Sequence, residues 1–435
     1  MATTPGPCGY TAFQAFTLCN LRGRDAAQRA STTQSNPATV TMTGRSRNLL
    51  APLAAGLLLV GATMVLETDA TAAETAQFTV PASIANDCSV DVSAAINSWI
   101  AGVPDGSKLL FGPNACYRVD FTVKVTDRNN LTIRGQNSTF RNPIVPPMPR
   151  YTRPIWRFVG GSNIAIRSMT AEGSNPDHKF DVDREWWAMF RFDGTQGVTL
   201  ENIHGRNSWG DFVTLSPDTR TSPQAHTSNV ILRNSSADIV GRNAVSCTGC
   251  YDVVIADNDF EGIGYQVFDI EVEGTNWYAR NIAFTGNEIG NHHLSVLVNG
   301  GIGAYVTNIR FTGNTMRQAS ETCESPIFVL DGPGDKTDFT VSENVLKSRS
   351  PIFRLNGLQG LVAESNIGMF VGGLQCQYQG AAIRVRNTEA TVQGNDFARY
   401  PRLLKVEGSA ALIRGSACGN RLMDDGLFDE PVVCD

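Results

Sequence analysis

The feature that most constrains this chain is a short apolar segment that recurs along much of its 435 residues. It reads Leu131-Thr-Ile-Arg-Gly, Ile164-Ala-Ile-Arg-Ser, Val198-Thr-Leu-Glu-Asn and Val230-Ile-Leu-Arg-Asn. It then continues from Val253, Ile282, Ile309, Phe339, Leu361 and Ala390 to Ala411-Leu-Ile-Arg-Gly. Successive anchors stand roughly 21 to 34 residues apart, a spacing typical of stacked structural repeats. Apolar and polar residues alternate within each segment, which gives a strand one buried and one outward face. Asn258, Asn287, Asn314, Asn344, Asn366 and Asn395 each directly follow such a segment. One asparagine is explained by its tolerance of a left-handed turn, but a series at one phase implies an internal ladder between coils. A second strand in many repeats closes on glycine, as in Met189-Phe-Arg-Phe-Asp-Gly and Phe353-Arg-Leu-Asn-Gly. Two or three short strands per coil, without helices between them, predict an all-β, single-stranded right-handed parallel β-helix of about 10–11 coils. Sandwiches and propellers need antiparallel hairpins, and the two-residue Asn-Gly hairpin signal is scarce.

The end of such a stack is a bare sheet edge that must be covered. Asp91-Val-Ser-Ala-Ala-Ile-Asn-Ser-Trp-Ile reads as a short N-terminal capping helix with Asp91 near its N-cap. Pro104-Asp-Gly, the strand Lys108-Leu-Leu-Phe and then Tyr117-Arg-Val follow it. This succession resembles the opening of the pectate-lyase-like superfamily of secreted β-helix proteins, and the resemblance extends over essentially 78–434. It implies the fold. The superfamily holds lyases, hydrolases, epimerases and binding proteins, so activity must be argued from a site.

Upstream, Arg45 and Arg47 precede an apolar run at 49–66 and the small-x-small pattern Ala70-Thr71-Ala72. This is the form of an export signal that starts at Met42 and is cleaved near Ala73. A single membrane anchor is the alternative, at the lower length limit for spanning. The chain is therefore read as a leader 1–41 foreign to the mature protein, a signal peptide 42–72, an N-terminal cap 73–126 and a β-helix 127–435, secreted and monomeric. Removal of 1–72 takes away five arginines and three acids, so the net charge moves from -6 to -8. That balance, with only 18% charged residues, excludes a basic nucleic-acid binder, a coiled coil and a charge-rich disordered chain. Cys8 and Cys19 leave as well, and an even set in an exported chain reads as disulfides. Sequence proximity pairs Cys88 with Cys116, Cys247 with Cys250, Cys323 with Cys376 and Cys418 with Cys434. A redox or zinc half-site at Cys247 and Cys250 lacks a second pair of similar spacing.

Stacked coils place equivalent residues about 4.8 Å apart, so the stack presents a trough of roughly 50 Å, long enough for several sugar rings. Alignment of the second strands on their closing glycine gives one outward row of Arg157, Arg191, Thr214, Ser246, Glu271, Leu297, Val329, Arg354, Arg384 and Lys405. A second row holds Asp193, Thr248, Glu273, Asn299, Asp331, Asn356 and Glu407. In Asp269-Ile-Glu271-Val-Glu273 three carboxylates alternate with apolar residues, about 6.5–7 Å apart. Carboxylates this close raise each other's pKa or bind a cation, and the spacing also fits inverting glycoside hydrolysis. A solvated sheet face carries mixed charges too.

Asn207-Ser-Trp-Gly-Asp211-Phe-Val-Thr-Leu resembles the segment of polygalacturonase-type β-helix hydrolases in which a catalytic Asp precedes a strand. Gly241-Arg242-Asn243-Ala-Val-Ser246 takes the place of their Gly-His-Gly-Ile-Ser, and Phe268-Asp269-Ile-Glu271 that of their Arg-Ile-Lys segment. Asn243 stands where that family has its His, and acids replace its basic pair, so the polygalacturonase site itself is not carried over. Arg242, Ser246 and the acidic strand look more like a branch of secreted and phage-type β-helix proteins. Arg191 and Arg242 would flank the acids and hold a uronate carboxylate. In lyases of the superfamily an Arg serves as base while calcium neutralises the uronate. Asp193, Asp269, Glu271 and Glu273 form the corresponding candidate Ca2+ set.

His204 and His226 border Asp211 in sequence and are candidate acid/base groups. An insertion from Asp177 to Trp187 lies beside the same coils, where Trp186, Trp187, Trp209, Tyr265, Trp277 and Tyr278 are dense enough to stack on sugars. Phosphate-binding loops, a Ser-His-Asp elbow and a closed zinc set are missing from the sequence. The resulting expectation is an exported hydrolase, lyase or epimerase acting on an acidic polysaccharide. Asp211, Asp269 and Glu271 would be catalytic, and Arg191, Arg242, Glu273, Trp209 and Trp187 would bind substrate. The rival is a non-catalytic glycan-binding or cell-surface β-helix.

Overall fold

The computed structural model describes residues 76–144, 153–177, 179–272, 274, 276–300, 305–329, 335–374, 376, 380–407, 419–424 and 427–428, all in the unit Ala72–Asp435. The expected leader and signal, His178, Glu273, Asp331, the anchor at Ala411 and the cysteines 418 and 434 lie outside the described residues. Among the described residues no helix is long and apolar enough to cross a membrane.

The strands stack in parallel register as a right-handed β-helix. One face is an eleven-stranded parallel sheet, here called the front sheet, that runs from Val123–Thr126 to Leu404–Glu407. The other two faces share a ladder. Asn129–Arg141, Ser162–Glu172 and Gln196–Ser208 are long strands that serve both, and later coils use two shorter strands each, such as Thr227–Arg233 and Ser236–Val240. Alternation puts Phe158, Phe192, Leu215, Cys247 and Ile270 inward in successive coils, all at 4% exposure or less. An aromatic stack of Phe111, Tyr117, Phe140, Trp156 and Phe158 fills the first coils.

The asparagine ladder forms, and it extends to Asn420. The main-chain N–H of each asparagine donates to the Oδ1 of the next, from Asn258 through Asn287, Asn314, Asn344, Asn366 and Asn395, at 2.9–3.1 Å. Each Nδ2 also donates to a strand carbonyl in the coil before, as Asn314 does to Phe284. The residue just ahead of each asparagine has positive φ, for instance Asp257 at 55° and Glu343 at 58°, and turns the corner between two faces. The buried main-chain amides at this corner are thus satisfied from Asn258 to Asn395.

The helix Ser93–Gly102 covers the first coil and buries Ile96 and Ile100. Val92 is its N-cap, and Asp91, one residue earlier, accepts from the N–H groups of Ser93 and Asp120. Asn97 donates to the Thr122 carbonyl and accepts from the Lys124 N–H, which satisfies the edge strand Val123–Thr126. The segment 73–126, expected as a cap, also supplies strands to the ladder: Gln77–Thr79 pairs with Lys108–Leu110, and Asp87–Asp91 with Cys116–Arg118. Disulfides join Cys88 to Cys116, Cys247 to Cys250 and Cys323 to Cys376.

Candidate active site

The register of the front sheet corrects the row derived from closing glycines. Arg157, Arg191, Thr214, Ser246 and Asp269 are paired in succession, followed by Val298, Phe328, Arg354, Arg384 and Lys405. Asp269 holds the place assigned to Glu271, and Leu297 and Val329 fall in inward columns, at 1% and 0% exposure. Glu271 lies two residues along the strand, level with Gly300. The glycine alignment failed because the coil from Phe268 carries extra residues between strand and glycine, and a closing glycine does not count them.

Asp211, Asn243 and Gln266 occupy equivalent corner positions, each two residues before a front-sheet strand. They form a second, shorter ladder. The Asn243 N–H donates to Asp211 Oδ1 at 3.2 Å, and the Gln266 N–H donates to Asn243 Oδ1 at 3.1 Å. Asn243 Nδ2 donates to Asp269 Oδ2 at 3.0 Å and to Ser246 Oγ at 2.9 Å. Thr214 donates to Asp211 Oδ2 at 2.8 Å. Where the resemblance led one to look for a histidine, a fully buried asparagine links two carboxylates.

Arg242 is the centre of the cluster, at 8% exposure. Its guanidinium lies 3.2 Å from Asp211, 3.4 Å from Glu271, 3.7 Å from Asp269 and 4.0 Å from Glu185. Burial opposes its charge, and the surrounding carboxylates more than offset this and hold its pKa above the ordinary arginine value. Burial first, then the Glu271 charge, push the Asp269 carboxyl well above the usual carboxylate range, against the pull of Arg242. Burial likewise raises Glu185, with Arg242 opposing and Asp211 and Glu271 adding to the rise. Burial and the nearby Asp269 charge also raise the Tyr265 hydroxyl.

The three expected acids therefore converge, together with Glu185, which the sequence reading did not single out. Its one signal was its position in the 177–187 insertion. Exposure divides the cluster: Asp211 and Asp269 are 1% and 4% exposed, whereas the side chains of Glu271 and Glu185 retain 35% and 25%.

Other expected residues lie apart from the acids. Arg191 pairs with Asp193 at 2.8 Å, shares it with Arg157, and faces the Trp186 ring at 5.4 Å. Trp187 and Trp209 border a small crevice with Asn142, Arg153 and Ser174. Trp209 donates to Ser174 Oγ, and Arg184 sits 4.4 Å above its ring. His204 bonds Ser236 on another face, and His226 is buried against Tyr278, with ring centroids 4.2 Å apart. Of the calcium set that the resemblance suggested, Glu273 lies outside the described residues, and the three described members do not fit one ion. Asp193 is committed to two arginines, and the Arg242 cation fills the space between Asp269 and Glu271. Among the described residues no group of three or more His, Cys, Asp or Glu is arranged to hold a metal ion.

The fold is that of the right-handed parallel β-helices. Compared with solved structures, the chain is similar to a tailspike protein mutant of E. coli bacteriophage HK620 in complex with pentasaccharide. The TM-score is 0.52 at 13% identity, over 79% of this chain and 65% of that one. A tailspike mutant of the same phage in complex with hexasaccharide gives 0.51 at 13% identity, over 78% and 62%. The Azotobacter vinelandii mannuronan C-5 epimerase AlgE4 A-module gives 0.48 at 15% identity, over 76% and 97%. The chain thus spans less than two thirds of the length of the tailspike chains it matches. No family model matches it, and no curated protein matches it in sequence.

Proposed function

We propose that this is a secreted carbohydrate-active β-helix enzyme that cleaves an acidic polysaccharide laid along the front sheet. The observation that carries the reading is the convergence of Asp211, Asp269, Glu271 and Glu185 on Arg242 at one point of the outward face. Neighbouring carboxyl groups, some of them pushed by burial toward the protonated form as Asp269 and Glu185 are, are the equipment of glycoside hydrolysis. Cations flank the acids in the same row: Arg157 and Arg191 stand on one side, and Arg354, Arg384 and Lys405 on the other. This supports an anionic chain as ligand. The saccharides bound in the tailspike structures support a glycan on this fold.

A second reading, a glycan binder without turnover, draws on the fact that every acid of the cluster already contacts Arg242. Incubation with a panel of uronate-containing, sulfated and neutral polysaccharides separates the readings. New reducing ends without ultraviolet absorbance identify a hydrolase, and absorbance from an unsaturated product identifies a lyase. Retained binding with no product from any glycan would refute the enzyme reading.

A further inference from the structure

We infer that Glu185, carried by the segment 174–187, is the proton donor of this site, with Glu271 on the same arginine as the base. The inference rests on the hydrolase reading above and assigns the catalytic roles within it.

Access selects these two residues. A glycosidic oxygen and an attacking water must both reach a carboxyl group, and Asp211 and Asp269 are too deeply buried for either. Both are also held by fixed donors, Asp211 by Thr214, Arg242 and the Asn243 N–H, and Asp269 by Asn243. They position Arg242. Glu185 and Glu271 meet neighbouring nitrogens on one edge of the same planar guanidinium, Nε and Nη2, at 4.0 and 3.4 Å. Those contacts put their oxygens no more than about 10 Å apart, close enough for both carboxyls to serve one glycosidic bond.

The segment is anchored at many points, so the position of Glu185 is fixed by structure. Asn175 Nδ2 donates to the carbonyls of Lys179 and Ser208, Phe180 stacks on Tyr265 with centroids 4.5 Å apart, and Arg184 covers Trp209. The Gly210 N–H donates to the Trp187 carbonyl at 3.1 Å. A Cβ on Gly210 would lie 2.5 Å from the Glu185 carbonyl oxygen, so the close approach of segment and coil requires glycine there. The charged groups facing Glu185 are Arg242, Asp211 and Glu271, and Trp186 bonds its side chain. Burial and the two carboxylates favour the protonated form, and Arg242 favours the ionised one, with a net rise for Glu185. That direction suits an acid.

In the step itself, Glu271 takes a proton from water as the water oxygen bonds to the anomeric carbon. The glycosidic C–O bond breaks, its electron pair stays on the leaving oxygen, and that oxygen takes the Glu185 proton. The products are a new reducing end of inverted configuration and a new hydroxyl. Exchange with solvent returns both carboxyls to their starting states.

The test uses the glycan found by the product screen, with wild type, Glu185→Gln and Glu271→Gln, each checked for an unchanged thermal midpoint. Glu185→Gln should lower kcat about 10²- to 10⁴-fold with KM within a few-fold, and should abolish the alkaline limb of the kcat/KM profile. Glu271→Gln should abolish the acid limb. Proton NMR of the first product should show the inverted anomer. Glu185→Gln with near-wild-type kcat, or a loss that leaves the alkaline limb in place, overturns the inference alone. A retained anomer does the same, whereas an unsaturated product overturns the hydrolase reading and the inference together. A wild type that releases nothing from any glycan overturns the enzyme reading and the inference together.

Discussion

Replacement of Arg242 by methionine is the most informative perturbation of the cluster. The guanidinium is nine-tenths buried and lies 3.2 to 4.0 Å from Asp211, Glu271, Asp269 and Glu185. Methionine fills much of the volume but leaves the carboxyls facing one another without their cation. Removal of one partner of a buried pair costs about 3–5 kcal/mol, because the uncompensated charge stays behind. The roughly 320 described residues have an unfolding entropy that converts this to a fall of about 4–8 °C in thermal midpoint. The cost should depend on pH. Without Arg242 the folded-state carboxyl pKa values rise above their unfolded values near 4, so the folded state binds more protons than the unfolded chain. Stability of the variant then falls as pH rises from about 4 through the raised values. Thermal and urea unfolding of wild type and Arg242→Met at pH 4.5 and 7.5 would show a large difference at pH 7.5 and a smaller one at pH 4.5. A difference below about 1 kcal/mol, or one equal at both pH values, would refute the view that Arg242 is the electrostatic keystone of the cluster.

Further outcomes follow from the same contacts. Asp269→Asn should flatten the pH dependence of stability: the wild-type carboxyl has a raised folded pKa, so it favours folding in acid and loses that contribution as pH rises through that value. The variant should be the more stable at pH 8 and no more stable at pH 4, and the reverse order in unfolding midpoints would contradict this. Asn314→Ala removes Nδ2 bonds to Phe284 and Asn344 and the acceptor for the Asn287 N–H, and should cost about 2–4 kcal/mol in chemical denaturation. A cost under about 0.5 kcal/mol would mean the ladder contributes little. Replacing Cys88 and Cys116 by serine opens a link across 28 residues and should cost about 3–4 kcal/mol. Hydrogen exchange should then quicken in Asp87–Asp91 and leave the front-sheet strand Phe268–Glu271 unchanged.

Much of the site was legible from particular residues. Asp211, Arg242, Asp269 and Glu271 stood out because each sits at a fixed distance from a recognisable strand, and stacking brings such positions together. Asn243 drew notice only as a departure from a family pattern, yet it joins Asp211 to Asp269. Arg191 was legible too: it falls in the outward row of the front sheet, where strand alternation puts it, and pairs there with Asp193. Trp187 and Trp209, singled out only for proximity in sequence, turn instead to Arg153 and Ser174, because the direction of a side chain in an irregular corner does not follow strand alternation.

The sequence alone determined the coil. Period-two alternation decides which face of each strand is buried, and an asparagine at a constant phase decides where each corner bonds to the next. Both are properties of a few adjacent residues that repetition multiplies. Tertiary structure decided the register of the front sheet and the placement of Glu185. Those depend on how many residues each corner consumes and on where an insertion comes to rest, and each is settled by packing between coils about 30 residues apart in the chain. The ladder could be read one turn at a time, but the acid cluster exists only where several turns meet.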